Sequence, residues 1–486
     1  MLDRGGRAET ALPAPLICPD AEEMFNKILI ANRGEIAFRA IRECKGLGIR
    51  SVAVYSDADA DALFVKHADE AYRLGDPRPA DSYLNIEKIL DIARRCEADA
   101  IYPGYGFLAE NPKFVEACEQ SGIKFIGPPS ESMRRAKPKH KARKLMKASG
   151  IPVTPGIDDA IDSASKMTEV IKAVDDIGYP VIVKPCGGGG GIGMKVAKDR
   201  GELVAAMRYA ELRGNSAFGV SPFYIEKYLP GVKHIEFQVL ADKRGNVVHL
   251  GERECSVQRR YQKLIEEAPS PAMTPELRRE MGETAVQVAR LLNYVSTLTV
   301  EFIFSKDTGE YFFNEVNTRL QVEHPLTELI TGINLVKEQI RIAAGEELGY
   351  TQDDIQLRGW AIECRINAED PLRDFLPSPF KVTTYQPPSG FGVRVDSGIS
   401  AGYTLPLYYD SLMVKLLTWG ESRDEAISSM RRALDEFVIE GVKTNIPFHK
   451  VALEDEAFRL GNYTTDFIEE RQIIEKLQQL AGKSTA

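Results

Sequence analysis

Short apolar runs alternate with helical repeats from Lys27 onward. Ile28-Leu-Ile-Ala-Asn32 is almost continuously apolar, Ile36, Ala37, Ala40, Ile41 and Cys44 recur at helical spacing behind Gly34, and Ser51-Val-Ala-Val-Tyr55 is apolar again. A strand, a helix and a strand within about 30 residues predict a βαβ unit and a parallel sheet. The pattern continues with helices over 86–95 and 111–120, strands over 98–102 and 124–126, and the loop Pro103-Gly-Tyr-Gly-Phe107. An open, doubly wound parallel-sheet domain follows.

Beyond it the periodicity changes. Residues 131–149 form one basic helical stretch, and Gly150-Ile-Pro-Val-Thr-Pro155 breaks it as a linker. A small α+β module is predicted next: a helix over 166–176, strands over 180–184, 194–197 and 223–226, and a helix over 202–211. The remainder predicts strands over 235–240, 247–250, 298–304 and 311–323 and helices over 275–292 and 334–344. From about Arg358 come strands, Pro/Gly turns and a helix over 423–436, a mixed α/β unit. The fold class is therefore α/β combined with α+β.

Composition leaves this picture standing and narrows the chemistry. The 486 residues are 43% hydrophobic and 27% charged, as folded multi-domain proteins are. Lysine and arginine total 62 against 71 acids, a net charge of −9 without a basic block, so nucleic acid is not the expected partner. No apolar run approaches the ~20 residues of a membrane helix. The seven cysteines (Cys18, Cys44, Cys96, Cys118, Cys186, Cys255, Cys364) are scattered and lack a C-x-x-C pair. They argue against a disulfide framework or zinc site and for a cytoplasmic setting. Residues 1–23 predict a disordered leader, because Pro13 and Pro15 interrupt their apolar stretch and acids flank it, with Met24 an alternative start.

Three constellations carry chemistry. In Lys184-Pro-Cys-Gly187 to Gly193, six of seven consecutive positions are glycine, exposing backbone N–H groups as a phosphate requires. Neither a Rossmann turn nor a P-loop fits, since Met194 to Ala197 alternates like a strand and no Lys-Ser or Lys-Thr follows. A glycine hairpin over a nucleotide's phosphates remains, with Lys184 as phosphate partner.

The second is Glu315-Val-Asn317-Thr-Arg319-Leu-Gln321-Val-Glu323, which, if extended, sends its five polar residues to one face. A solvated outer face would look the same. Glu301 tips the balance, because it sits inside the apolar strand Leu298 to Phe304, where a lone carboxylate is costly. In the right hairpin register Glu301 and Glu315 face each other as oxygen ligands for Mg2+. Arg319 and Glu323 are then free for a second substrate. The third is the mixed-charge run Gly251 to Glu267, which reads as a salt-bridged surface or, through Lys263, as an anion holder. Arg365, in an alternating strand, reads equally as an edge salt bridge.

At the level of whole motifs the chain resembles the biotin carboxylase subunit of biotin-dependent carboxylases, an ATP-grasp enzyme, from Met24 to about Glu470. The resemblance is carried by Ile30-Ala-Asn-Arg-Gly-Glu-Ile36, Pro103 to Leu108, the glycine run, Gly251-Glu-Arg-Glu-Cys255, Glu266-Glu-Ala-Pro269, Asn317-Thr-Arg319, Gln321-Val-Glu-His-Pro325, Glu363 to Asp370 and Tyr408-Tyr-Asp-Ser411. It implies an N-terminal domain over 24–137, an ATP-grasp domain over 138–345 with a lid at about 155–229, a C-terminal domain over 358–470 and a tail over 471–486.

The implied reaction uses ATP with Mg2+ or Mn2+ to phosphorylate bicarbonate, and the resulting carboxyphosphate delivers CO2 to biotin on a carrier. By the resemblance, Lys139, Lys184, Gly188, Gly189, Gly190 and Gly191 meet the phosphates, Glu226, Lys227 and Leu229 the adenine, and His234 and Gln258 line the nucleotide pocket. Glu301, Glu315 and Asn317 fall at metal positions. Lys263, Arg319, Gln321 and Val322 correspond to bicarbonate contacts, Glu323 to the base, and Arg365 to the stabiliser of the biotin enolate.

The chain departs from the family pattern at Lys137-Pro138, where Gly-Asp is usual, at Ile192, usually Arg, and at Tyr261, usually His. It contains no Ala-Met-Lys-Met biotinylation sequence and no carboxyltransferase region. The resemblance therefore implies one subunit of an acyl-CoA or pyruvate carboxylase, a homodimer working with a biotin carboxyl carrier protein and a carboxyltransferase subunit. Two other readings compete. Arg319, Gln321, Glu323 and Arg365 speak against a different ATP-grasp ligase, and the intact Glu301, Glu315, Lys263 and Glu323 against a non-enzymatic nucleotide-binding scaffold.

Overall fold

The computed structural model describes residues 24–162, 166–186, 193–218 and 222–484. The leader 1–23 and Gly188, Gly189, Gly190 and Gly191 lie outside the described residues. Strands β1 (Lys27–Ile30), β2 (Arg50–Ser56), β3 (Glu70–Gly75), β4 (Ala100–Tyr102) and β5 (Lys124–Phe125) form a parallel sheet ordered β3-β2-β1-β4-β5. Helix α1 (Gly34–Gly46) buries the predicted stripe Ile36, Ala37, Ala40, Ile41 and Cys44. The chain departs in opposite directions from β1 and β4, so a crevice opens beyond their C-terminal ends. Asn32 closes its floor by donating to the carbonyls of Pro103 and Tyr105, each at 2.7 Å.

The predicted basic helix over 131–149 is two helices, Ser130–Ala136 and Lys139–Ala148. Pro138 has no N–H to continue the first helix and holds Lys137 extended. A small antiparallel sheet follows, ordered β6-β9-β7-β8 from β6 (Gly156–Ile161), β7 (Val181–Pro185), β8 (Lys195–Ala197) and β9 (Phe223–Lys227). The helices Met167–Ile177 and Arg200–Phe218 cover it, packing Val174, Leu203 and Ala206 against Val181, Val183 and Ile225.

The largest sheet is antiparallel throughout. It runs β14-β13-β10-β11-β12-β15-β20-β19 and is built from β10 (Lys233–Ala241), β11 (Val247–Arg259), β12 (Gln262–Ala268), β13 (Ser296–Phe304), β14 (Tyr311–Asn317) and β15 (Trp360–Asn367). After the short strands β16 (Glu369–Asp370), β17 (Leu376–Pro377) and β18 (Thr384–Gln386), β19 (Val393–Ser397) and β20 (Leu412–Gly420) complete it. Because side chains alternate across a strand, its two faces differ. Ile235, Phe237, Val239, Leu298, Val300 and Phe302 pack on the helix Pro275–Leu291 through Met281, Ala285 and Val288. The opposite face carries a buried polar layer, in which Arg253 donates to Glu236 at 2.6 Å and to Gln238 at 2.9 Å.

Two sequence expectations change here. The run Gly251 to Glu267 is surface only at its turn, Arg260 to Gln262: Glu252, Arg253, Glu254, Glu266 and Glu267 are all buried, because β11 extends to Arg259 and β12 follows. The predicted strand over 311–323 ends at Asn317, and the helix His324–Thr331 begins directly after Glu323. No helix among the described residues is long and apolar enough to cross a membrane.

Candidate active site

A cavity of about 670 Å³ lies where the crevice of the first sheet meets the polar face of the large sheet. Asn32, Arg33 and Tyr105 line it from one side and Lys184, at the end of the small sheet, from another. The remaining walls bring together Lys139, His234, Gln258, Lys263, Glu301, Glu315, Asn317, Arg319, Gln321, Val322 and Arg365, which the sequence scatters over more than two hundred positions.

The hairpin register places Glu301 opposite Glu315, with a bulge immediately after. Asn317 Nδ2 donates to Glu301 Oε1 at 2.7 Å, His234 Nε2 lies 3.1 Å from Glu301 Oε2, and Lys139 forms an ion pair with Glu315. Burial alone would raise the Glu301 carboxyl, but Lys263 and His234 outweigh it and hold the group below the ordinary range. Two carboxylates side by side, countered by lysines and an imidazole, are hard oxygen donors of the kind Mg2+ or Mn2+ takes, so this set fits a divalent ion.

A second group surrounds Glu323, whose side chain is 0% exposed. Its Oε1 accepts from Lys263 Nζ at 2.5 Å and its Oε2 from Arg365 Nη2 at 2.9 Å. Burial pushes Glu323 up, but Lys263, Arg365 and Arg253 prevail and keep it ionised. Lys263 also donates to Glu236 at 2.6 Å, and Arg365 to Glu266 at 2.5 Å. Arg365 thus sits on a central strand and not at a sheet edge. The turn after Asn317 aims Arg319 at the carbonyl of Leu320 and at Gln321, both 3.1 Å away, while Lys415 holds the Val322 carbonyl at 3.0 Å.

The nucleotide-side residues divide. Lys184 Nζ donates to Glu226 at 2.9 Å and to Asn314 at 3.1 Å, and Gln258 pairs with His234 at 2.8 Å. Glu226 is buried between Lys184, Arg143 and Thr154, so its carboxylate is spoken for. Lys227 donates to the carbonyls of Gly178 and Tyr179, and Leu229 follows β9 in a half-buried loop. These three stand apart from the cavity wall.

Sequence reasoning missed several partners. Glu110, from the first domain, lies 3.3 Å from Arg319 and 3.0 Å from Lys137. Glu236 was equally missed, an acid inside an otherwise apolar strand, and Arg253 and Glu266, part of the mixed-charge run, were given no role. Of the departures, Lys137 is thus a partner of Glu110, and Tyr261 lines the cavity at φ +66 while 41% exposed.

A small antiparallel sheet ending in Lys184, a carboxylate pair on an antiparallel hairpin and lysines turned into the same cavity define the ATP-grasp class. Three family models then cover most of the chain: "Biotin carboxylase, N-terminal domain" over 24–133, "Carbamoyl-phosphate synthase L chain, ATP binding domain" over 138–351 and "Biotin carboxylase C-terminal domain" over 363–470. The chain belongs to the biotin carboxylase family and is an enzyme that carboxylates biotin at the expense of ATP.

Among its relatives, a pyruvate carboxylase subunit of Methanothermobacter thermautotrophicus is 56% identical over 92% of this chain and 90% of that one. Biotin carboxylase 1 of Bacillus subtilis is 51% identical over 92% and 98%. The biotin carboxylase domain dimer of the Hydrogenobacter thermophilus 2-oxoglutarate carboxylase, solved with MgADP, ADP and bicarbonate, superposes with a TM-score of 0.90 at 48% identity, covering 93% of this chain and 99% of that one. A biotin carboxylase from Campylobacter jejuni gives 0.89 at 46% identity, covering 92% and 99%.

Proposed function

We propose that the chain phosphorylates bicarbonate with MgATP and passes the resulting CO2 to biotin on a separate carrier protein, through the residues gathered around Glu323. The observation that carries this reading is Glu323 itself, an ionised carboxylate held between Lys263 and Arg365 beside the Glu301–Glu315 pair. A bound divalent ion at Glu301, Glu315 and Asn317 supplies charge neutralisation to the transferring phosphoryl group. Lys139, Lys184 and the glycines Gly188 to Gly191 hold the phosphates, with His234 and Gln258 beside the nucleotide. Glu226, Lys227 and Leu229 serve the base-binding end. The Glu226 and Lys227 side chains already have protein partners, and the Lys227 N–H is donated to the Pro155 carbonyl.

Lys263, Arg319, Gln321 and Val322 orient bicarbonate. Burial would favour neutral Lys263, yet the carboxylates of Glu236 and Glu323 keep it protonated and able to hold an anion. Glu323 takes the bicarbonate proton as an oxygen attacks the γ-phosphorus and ADP leaves. Carboxyphosphate then splits into CO2 and phosphate; the phosphate takes the proton of the biotin ureido nitrogen, Arg365 balances the resulting enolate oxygen, and that nitrogen captures CO2.

We place the domains at 24–137, 138–345 with a lid at about 155–229, and 358–470; the family-model ranges 24–133, 138–351 and 363–470 support this division, while the large sheet joins strands of the last two. The chain works in the cytoplasm as a homodimer with a carrier protein and a carboxyltransferase subunit. The dimer named in the Hydrogenobacter structure and the free, buried state of the six described cysteines support this. Glu323→Gln tests the mechanism: bicarbonate-dependent ATP cleavage should disappear while MgATP binding persists. Loss of both would remove Glu323 from the role assigned to it.

A further inference from the structure

Behind Arg365 lies a pair of acids that the reaction does not use. Glu266 on β12 and Glu363 on β15 are direct cross-strand partners, so their side chains leave the sheet on the same face within contact distance. Both are buried, Glu363 at 0% exposure. Neither oxygen of Glu363 has a hydrogen-bond partner, and Glu266 Oε2 has none either, although Glu266 Oε1 accepts from Arg365. Three unpaired carboxyl oxygens facing one another in a closed interior are untenable as two carboxylates. One proton on the pair turns one orphaned oxygen into a donor and a second into its acceptor.

We propose that Glu363 is carried as the neutral acid and donates its proton to Glu266, making it a positioning residue that sets the Glu266 carboxylate on Arg365. The idea rests on the role given to Arg365 under the proposed function. The facing pair then bears one negative charge instead of two. Arg365 already answers two carboxylates, Glu266 and Glu323. A third negative charge would cancel the positive field that Arg365 must show to an anionic biotin oxygen.

The surroundings agree. Lys415 on β20 is the cross-strand partner of Arg365, but it is engaged by Glu35 at 3.1 Å and by the Val322 carbonyl; it makes no ion pair with Glu363, and its pull on that carboxyl, like that of Arg365, is outweighed by burial and Glu266. The helix His324–Thr331 covers this face with Leu326 and Ile330, in one apolar cluster with Leu417, the β20 partner of Glu363. That helix brings Glu323, at its N-cap, together with His324, whose Nδ1 lies 2.8 Å from the Gln321 carbonyl, and Glu328, which is paired with Arg39 and Arg394. The helix Arg423–Glu436 packs on the other face through Ala426 and Met430, beside Ile362 and Cys364. Lys263 answers Glu236 and Glu323. Burial first, then the facing carboxylate Glu266, raises Glu363 well above the carboxylate range. Burial likewise raises Glu266, against the pull of Arg365, to about 7.

Neutron diffraction on the wild-type protein at neutral pD should show deuterium on Glu363, directed at Glu266. The pH profile of biotin-dependent ATP cleavage supplies the functional half. In Glu363→Gln the amide donates as the acid does but cannot ionise, so the alkaline limb should move up by about one pH unit or more. No deuterium between the two residues, or an alkaline limb unmoved in Glu363→Gln, would overturn the proposal. Wild-type protein lacking biotin-dependent cleavage at every pH would instead strike the proposed function and leave the neutron result to decide the shared proton.

Discussion

Arg319 shows how much of this site is set by single residues far away in sequence. Its guanidinium is anchored by Glu110, more than two hundred positions upstream, which also answers Lys137 and accepts from the Thr318 backbone. Burial would raise Glu110, yet Arg319 and Lys137 hold it down to about 2, below its ordinary 4.5. Since the folded value is the lower one, the unfolded chain takes up the proton first as the pH falls. The stabilisation is therefore whole above pH 4.5 and drains away as the pH drops toward 2. It amounts to roughly 3 kcal/mol at neutral pH. Urea midpoints of Glu110→Gln and wild type should differ at pH 7 and converge near pH 2; a gap independent of pH would show that the ion pairs contribute nothing. Lys184, Glu301, Glu315, Arg319 and Glu323 were legible as polar groups within or beside an apolar pattern, whereas Lys139, Glu226, Lys227, Leu229, His234, Gln258 and Val322 entered only through the family resemblance. Glu110 was not legible, because an isolated acid ahead of a helix is an ordinary surface feature until the fold brings Arg319 to it.

At the scale of elements, hydrophobic period placed the strands and helices, while polar chemistry set their ends. The alternation from Tyr311 to Glu323 looked like one strand, but it breaks at Asn317, and the resulting turn is what lets Arg319 and Gln321 line the cavity while Glu323 lies buried against Lys263 and Arg365. Alternation records side-chain character and not backbone hydrogen bonding, so this end was invisible. The Glu301–Glu315 pairing depended on a register that periodicity permits and only the folded hairpin fixes. Segment contacts are equally exacting. A Cβ on Gly398, after β19, would lie 2.6 Å from the Glu35 nitrogen and 2.9 Å from the Gly34 carbonyl carbon at the start of α1. Gly398→Ala must push the two segments apart. It should cost about 1–3 kcal/mol in chemical denaturation and lower biotin-dependent turnover, because α1 begins at the cavity wall. An unchanged midpoint would mean that this contact yields freely.

For the whole molecule, three sheets meet around one cavity, each supplying a different part of the reaction. The parallel sheet brings a crevice and its loops, the small sheet brings Lys184, and the large sheet brings a buried charged face. That face was the least legible part of the fold, since mixed charges in sequence ordinarily mean solvent, and only the pairing of β11, β12 and β15 buries them together. Lys263, Arg365 and Glu323 come from separate strands and a helix N-cap, so their juxtaposition exists only in the assembled sheet. The measurement closest to the central claim is phosphate release from MgATP by the purified chain, with and without free biotin, in bicarbonate-depleted and bicarbonate-supplemented buffer. Turnover should require bicarbonate and rise with biotin. ATP that binds but is never cleaved under any of these conditions would contradict the account.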